Sequence, residues 1–132
     1  MKRSIVALTG LLLVFAFVAP LPAAKSSTPY TYSRTGNSYD IAVSRTTPGT
    51  VLMGGSTDVD AAFQWMCARS GGGAFLVIRA TGTEAYNPYI RQLCPGSNSV
   101  ATLIIPTIDA ANHPDVAKII QAAEAIWIAG GD

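Results

Sequence analysis

Charge is scarce in this sequence: only 13% of its 132 residues are charged, and neither sign gathers into a patch. A protein that grips nucleic acid or an anionic membrane surface needs clustered lysine and arginine, so composition gives neither partner any electrostatic support. The glycine spacings G-x-G-x-x-G and G-x-x-x-x-G-K-[ST] are both missing, which removes the common nucleotide cradles. Cysteine is limited to Cys67 and Cys94, without the C-x-x-C spacing of a thiolate metal site, so neither a metal nor another cofactor is expected.

The one long apolar run is at the amino terminus. Lys2 and Arg3 precede Ile5 to Ala19, a stretch broken only by Thr9 and Gly10 and followed by Pro20-Leu-Pro-Ala-Ala24. That is the charged, apolar and small-residue order of a secretory signal peptide. At about 15 residues the run is shorter than the roughly 20 that a spanning helix needs, so no stable membrane anchor is expected. Residues 1–24 are read as a signal for export to the periplasm or the exterior, cleaved near Ala23 or Ala24. Losing Lys2 and Arg3 leaves seven basic residues against eight acidic ones, a net charge near −1. In an oxidising compartment Cys67 and Cys94 could form a disulfide; the alternative makes Cys67 a small core hydrophobe.

Residues 25–48 turn to Ser, Thr, Tyr, Gly and Pro and read as a flexible leader, with a short edge strand conceivable over Tyr39 to Val43. From Gly49 the pattern changes. Thr50-Val-Leu-Met53 is β-prone and framed by glycines, so it reads as a first buried strand. A helix follows, capped by Ser56 or Thr57, with Asp58 and Asp60 in its first turn and Arg69 in its last, before Gly71-Gly-Gly73. Val59, Ala62, Phe63, Met66 and Cys67 recur at helical spacing and form its buried stripe. Ala74 to Ala80 is the second strand. Asn87 and Pro88 offer a cap and a first-turn proline for a short helix to Leu93. Ser99 to Ile105 is the third strand, and Asn112-His-Pro-Asp115 opens a helix with the stripe Val116, Ile119, Ile120 and Ala123. Ala125 to Ala129 is the fourth.

Alternating strands and helices predict an α/β fold, a parallel sheet with helices on both faces. A last strand with neither helix nor neighbour after it leaves an apolar edge open. The domain over residues 49–132 is therefore expected to be incomplete at its carboxyl end and prone to self-association through the exposed sheet.

Several motifs in this order carry a resemblance. Val51-Leu-Met-Gly-Gly-Ser-Thr-Asp-Val-Asp60 runs into Ala61-Ala-Phe-Gln-Trp-Met66 and Arg69-Ser-Gly-Gly-Gly73; then come Val77-Ile-Arg-Ala-Thr-Gly-Thr83, Tyr86-Asn-Pro-Tyr89 and Ala129-Gly-Gly-Asp132. From about Gly49 to Asp132 the chain resembles the cyanophycinase-like peptidases, S51-type serine hydrolases with a flavodoxin-like, class I glutamine-amidotransferase-like fold. The resemblance implies a serine nucleophile on a sharp strand-to-helix turn, a histidine base and backbone N–H groups for the oxyanion. In that family the serine elbow and the histidine both follow the Gly-Gly-Asp turn, so no catalytic residue is assigned within this chain. By similarity Gly130, Gly131 and Asp132 border the active site, and a glycine N–H there is a candidate oxyanion donor. Gly54 and Gly55 are candidates for lining the same site, and Ser56 and Arg79 for binding substrate, Arg79 through a bidentate grip on a carboxylate. The implied substrate is a peptide or an Asp/Arg polymer cut at β-aspartyl-arginine bonds.

Three other readings compete. A non-catalytic secreted α/β module, or a degenerate fragment, would keep the sheet without the reaction. A short hydrolase could draw on Ser56, His113 and Asp132, although Gly54-Gly-Ser-Thr-Asp58 lacks the closing glycine of a nucleophile elbow. For every glycine and for Arg79 the bland alternative stands beside the functional one: a turn, a cap or a surface charge.

Overall fold

The structure, a computed structural model, describes residues 27–43 and 45–130. The expected signal peptide over residues 1–24, and Gly131 and Asp132 at the other end, lie outside them. Eight elements follow one another: β1 (Thr31–Gly36), α1 (Asp60–Arg69), β2 (Ala74–Arg79), α2 (Tyr86–Leu93), β3 (Ser99–Ile104), α3 (Ile108–Ala111), α4 (Pro114–Gln121) and β4 (Ala125–Ile128). The strands form one sheet in the order β1-β3-β2-β4.

The sheet is mixed, which corrects the expectation of an all-parallel one. β2 pairs in parallel with β3 and with β4, whereas β1 lies antiparallel to β3 in the register Thr31 to Ile104 through Gly36 to Ser99. β1 comes from the polar stretch read as leader. Its Thr31-Tyr-Ser-Arg-Thr35 run is β-prone but half polar, as suits an edge strand with only one side to bury. Tyr39 to Val43 forms no strand.

Thr50 to Met53, expected as the first strand, has no ladder partner either. The start of this segment is tied to the carboxyl end of α1 instead: Thr47 N donates to Arg69 O at 2.9 Å, and Arg69 Nη1 to Pro48 O at 3.1 Å. Gly49 sits so close to the Trp65 ring that a Cβ would lie 2.5 Å from it. Held there, the segment runs beside β4 across a groove of about 420 Å3, with Val51 and Met53 packed inward and Leu52 exposed.

Alternation along the strands divides the core in two. Phe75, Val77 and Val100 face α1 and α2, meeting Phe63, Met66, Ile90 and Cys94, with Trp127 against the Phe63 ring. Leu76, Ala101 and Leu103 face the other way, onto Val116, Ile119 and Ile120 of α4. Helices therefore cover both faces. Moving from β2 out to β3, and then back past β2 to β4, puts two connections of the same hand on opposite sides.

Several helix starts differ from their expected caps. Neither Ser56 nor Thr57 caps α1, whose N-cap is Val59 without a side-chain bond, and Val59 is 52% exposed rather than part of the buried stripe. Asn87 lies inside α2, one residue after its start. For α4 the cap falls within the Asn112-His-Pro-Asp115 start, at His113: its Nδ1 accepts from Asp115 N at 3.3 Å, with Pro114 in the first turn. Cys67 of α1 and Cys94, the C-cap of α2, are joined by a disulfide, with 6.0 Å between their Cα atoms.

Candidate functional site

The parallel strands β2 and β4 end side by side, at Arg79 and Ile128. The loop that enters α1 approaches the same edge. Together they form a cavity of about 410 Å3 lined by Met53 to Ser56, Asp58, Arg79, Tyr86, Trp127 and the run Ile128 to Gly130. This is where open α/β sheets place their ligands, outside the carboxyl ends of the strands.

Five of the residues singled out in the sequence meet here: Gly54, Gly55, Ser56, Arg79 and Gly130. Gly131 and Asp132 are outside the described residues. His113 is not among the lining residues. Its ring packs edge-on against Tyr30, which joins the opposite face of the sheet, and its Nδ1 is engaged at the start of α4. Ser56 and His113 are thus not brought together.

The cavity glycines differ from the structural ones. A Cβ at Gly71 would fall 2.2 Å from Arg45 O, and Gly71 has φ +64°, so the turn after α1 requires glycine. At Gly73 a Cβ would fall 2.2 Å from Glu124 Oε2, the carboxylate oxygen that accepts the Ala74 N–H. Gly54, Gly55 and Gly130 have no positive φ, and a Cβ on any of them would meet nothing within 4 Å. Neither backbone strain nor crowding within the described residues asks for glycine at these three positions. Small residues there keep the wall open and its backbone within reach of a ligand.

Polar groups that the sequence did not point to stand around Arg79. Tyr86 Oη donates to Asp58 Oδ2 at 2.9 Å. Burial, and then the Asp58 carboxylate, push the Tyr86 phenol above its ordinary pKa, while Arg79 and the Trp127 indole N–H pull it back. That N–H is buried and makes no well-formed hydrogen bond among the described residues. The Arg79 guanidinium lies over the Tyr86 ring, 5.4 Å from its centroid, and Nη1 donates to Thr83 O at 3.1 Å. Only the spacing of Asp58 and Tyr86 relative to Arg79 on neighbouring elements could have disclosed this group, and that spacing is a property of the sheet rather than of the sequence.

The lining suits a small polar ligand: a guanidinium and a carboxylate, both against Tyr86, with a second aromatic side chain and glycine backbone beside them. No helix among the described residues is long and apolar enough to cross a membrane, and no group of three or more metal-ligating side chains occurs among them. No protein-family model, curated protein or solved structure matches the chain.

Proposed function

We propose that this chain is the amino-terminal part of an exported serine peptidase of the cyanophycinase-like type, and that it supplies one wall of the substrate site. The observation that carries the reading is convergence. Gly54-Gly-Ser56, Arg79 and the Ala129-Gly130 turn belong to three separate motifs of the resemblance, and they line a single cavity at the carboxyl edge of the sheet.

In this reading the serine elbow and its histidine follow the Gly-Gly-Asp turn, in sequence beyond Asp132. The serine attacks the scissile carbonyl, and the histidine takes its proton and later returns it to the leaving amine. The residues of this chain bind and orient. Gly130 lines the cavity and is uncrowded at its Cα, and in this reading its backbone N–H is the candidate oxyanion donor. The flavodoxin-like, class I glutamine-amidotransferase-like arrangement belongs to the same proposal; the mixed sheet with helices on both faces supports it, and the exposed outer edge of β4 leaves room for further strands.

The test is hydrolysis of a β-aspartyl-arginine dipeptide. The 132-residue chain alone should show no turnover, whereas a reading frame continued past Asp132 should contain a serine elbow and a later histidine and should hydrolyse the dipeptide. Turnover by the 132-residue chain that disappears in Ser56→Ala, or a continuation without the serine elbow, overturns the proposal.

A further inference from the structure

The two sulfurs of the Cys67–Cys94 disulfide stand in unequal surroundings. Cys94 is 4% exposed and belongs to the core between the sheet and the helices α1 and α2, whereas Cys67 is only partly buried. Both line a surface cavity of about 300 Å3 at the carboxyl ends of α1 and α2, while the cavity with Arg79 lies by the helices' amino ends. Its other walls are Ala68, Gly71, Gly72, Gly96 and Ser97, and none of these has a side chain longer than a hydroxymethyl group to shield the bond. Gly96 leaves its part of the wall bare: it has no positive φ, and a Cβ there would meet nothing within 4 Å. One cation is held against this wall. Arg91 Nη1 donates to Ser97 O, and Arg91 forms no ion pair among the described residues, where both ion pairs belong to Asp115. A guanidinium in that position favours the approach of a thiolate.

Thiol–disulfide exchange needs access to one sulfur and a place for the other to go. Cys67 gives the access. Cys94 Sγ lies 3.8 Å from Phe63 O, within reach of an S–H hydrogen bond, and a thiol packs in such a core as a small hydrophobe. We infer that Cys67 is a thiol-exchange site, reversibly capped by a low-molecular-weight thiol that enters this cavity. The incoming thiolate sulfur bonds to Cys67 Sγ, the Cys67–Cys94 bond breaks, and its electron pair leaves on Cys94 Sγ, which takes a proton from water. One disulfide replaces another, so no separate oxidant or reductant is consumed. In the reverse step the Cys94 thiolate attacks Cys67 Sγ and expels the small thiol. While Cys67 is capped, α1 and α2 lose the covalent link at their carboxyl ends and keep, by their amino ends, the hydrogen bonds from Tyr86 to Asp58 and from Tyr89 to Asp60. The inference makes no use of the peptidase reading and stands or falls apart from it.

The test holds the native chain in a buffer of reduced and oxidised glutathione, quenches it with acid and maps the products by mass spectrometry. The adduct should favour Cys67 over Cys94 by at least about tenfold. Cys94 should be recovered as a thiol that resists a brief iodoacetamide pulse until denaturant is added. The rate should change little in urea well below the unfolding midpoint, because attack through the cavity needs no unfolding. Gly96→Leu fills the bare wall and should slow capping about tenfold while leaving the urea midpoint in place. An adduct shared equally by the two cysteines, capping that appears only as urea unfolds the chain, no adduct at all, or a rate unchanged in Gly96→Leu overturns the inference. Three of these four outcomes are read on the unaltered chain, so the inference stays falsifiable if the Gly96→Leu chain does not fold.

Discussion

Thr102 on β3 donates its hydroxyl to Asn87 Oδ1 on α2 at 2.8 Å, and each residue is only 1% exposed. The same Asn87 side chain uses Nδ2 to reach Ser33 O on β1 at 3.1 Å, so one buried amide ties a helix to two strands. Replacing Thr102 by valine keeps the shape and strands the Asn87 oxygen in the core. The expected cost is about 1–3 kcal/mol, measured as a lower urea midpoint. In Asn87→Leu/Thr102→Val the loss should be smaller than the sum of the two single losses, since both partners are then apolar. Strict additivity would mean that this hydrogen bond contributes nothing.

The same residue marks how far the sequence could be read. Asn87-Pro88 looks like a helix start because asparagine is a common cap and proline a common first-turn residue, and the helix is there. The side chain's true role depends on Ser33 and Thr102, which are 54 and 15 residues away, and no local pattern records such a partnership. Strands β2 and β3 were legible because burial on both faces makes each a largely apolar run, and β4 because Ala-Ile-Trp-Ile is apolar throughout although only part of it is buried. β1 was not, since an edge strand buries one side only and its Thr-Tyr-Ser-Arg composition also suits a leader. At Thr50 to Met53 the local signal was sound, yet the tether to Arg69 and the Trp65 ring holds the run off β4. For the cavity, the glycines and Arg79 stood out by type; Asp58, Tyr86 and Trp127 emerged only once the sheet had placed them.

The disulfide between Cys67 and Cys94 closes a loop across 27 positions and fastens α1 to the end of α2. Constraining an unfolded loop of that length contributes about 3–4 kcal/mol in the chain-entropy account. Cys67→Ala/Cys94→Ala, or reduction of the native chain, should lower stability by roughly that amount, read as a drop in the denaturant midpoint. An unchanged midpoint under reducing conditions, with free thiols verified, would show that the bond contributes no stability.

Tyr86 and Tyr89 should be the last tyrosines to ionise. A hydrogen bond donated to Asp60, with burial next, pushes the Tyr89 phenol up to about 12, and Tyr86 is raised chiefly by burial and then by Asp58. The unfolded chain releases these protons near the ordinary value of about 10 while the folded chain keeps them. Their contribution to stability is therefore complete below about pH 10 and is lost as pH rises through the folded values. Tyrosinate absorbance during an alkaline titration should show two late-titrating groups, and Asp60→Asn should return one of them toward the others. A single transition for every tyrosine in the folded chain would contradict this.

The outer edge of β4 is where the chain should associate with itself. Ile128 is 73% exposed and Ile126 38%, on the sheet face they share with their ladder partners Ile78 and Leu76, and Leu52 across the groove is 92% exposed. An edge strand with free backbone groups and apolar side chains is a template for pairing with another strand, and natural edges are usually blunted by charge. No charged residue lies within Ala125–Ile128. Sedimentation velocity should therefore show concentration-dependent association of the 132-residue chain, together with binding of a hydrophobic dye. Ile128→Lys points a charge outward at the most exposed position of the strand and should shift the distribution toward monomer with little loss of stability, because the side chain it replaces buries little. If the unaltered chain stays monomeric over the whole concentration range, the edge is protected in solution and the open side of β4 ceases to support further strands beside it.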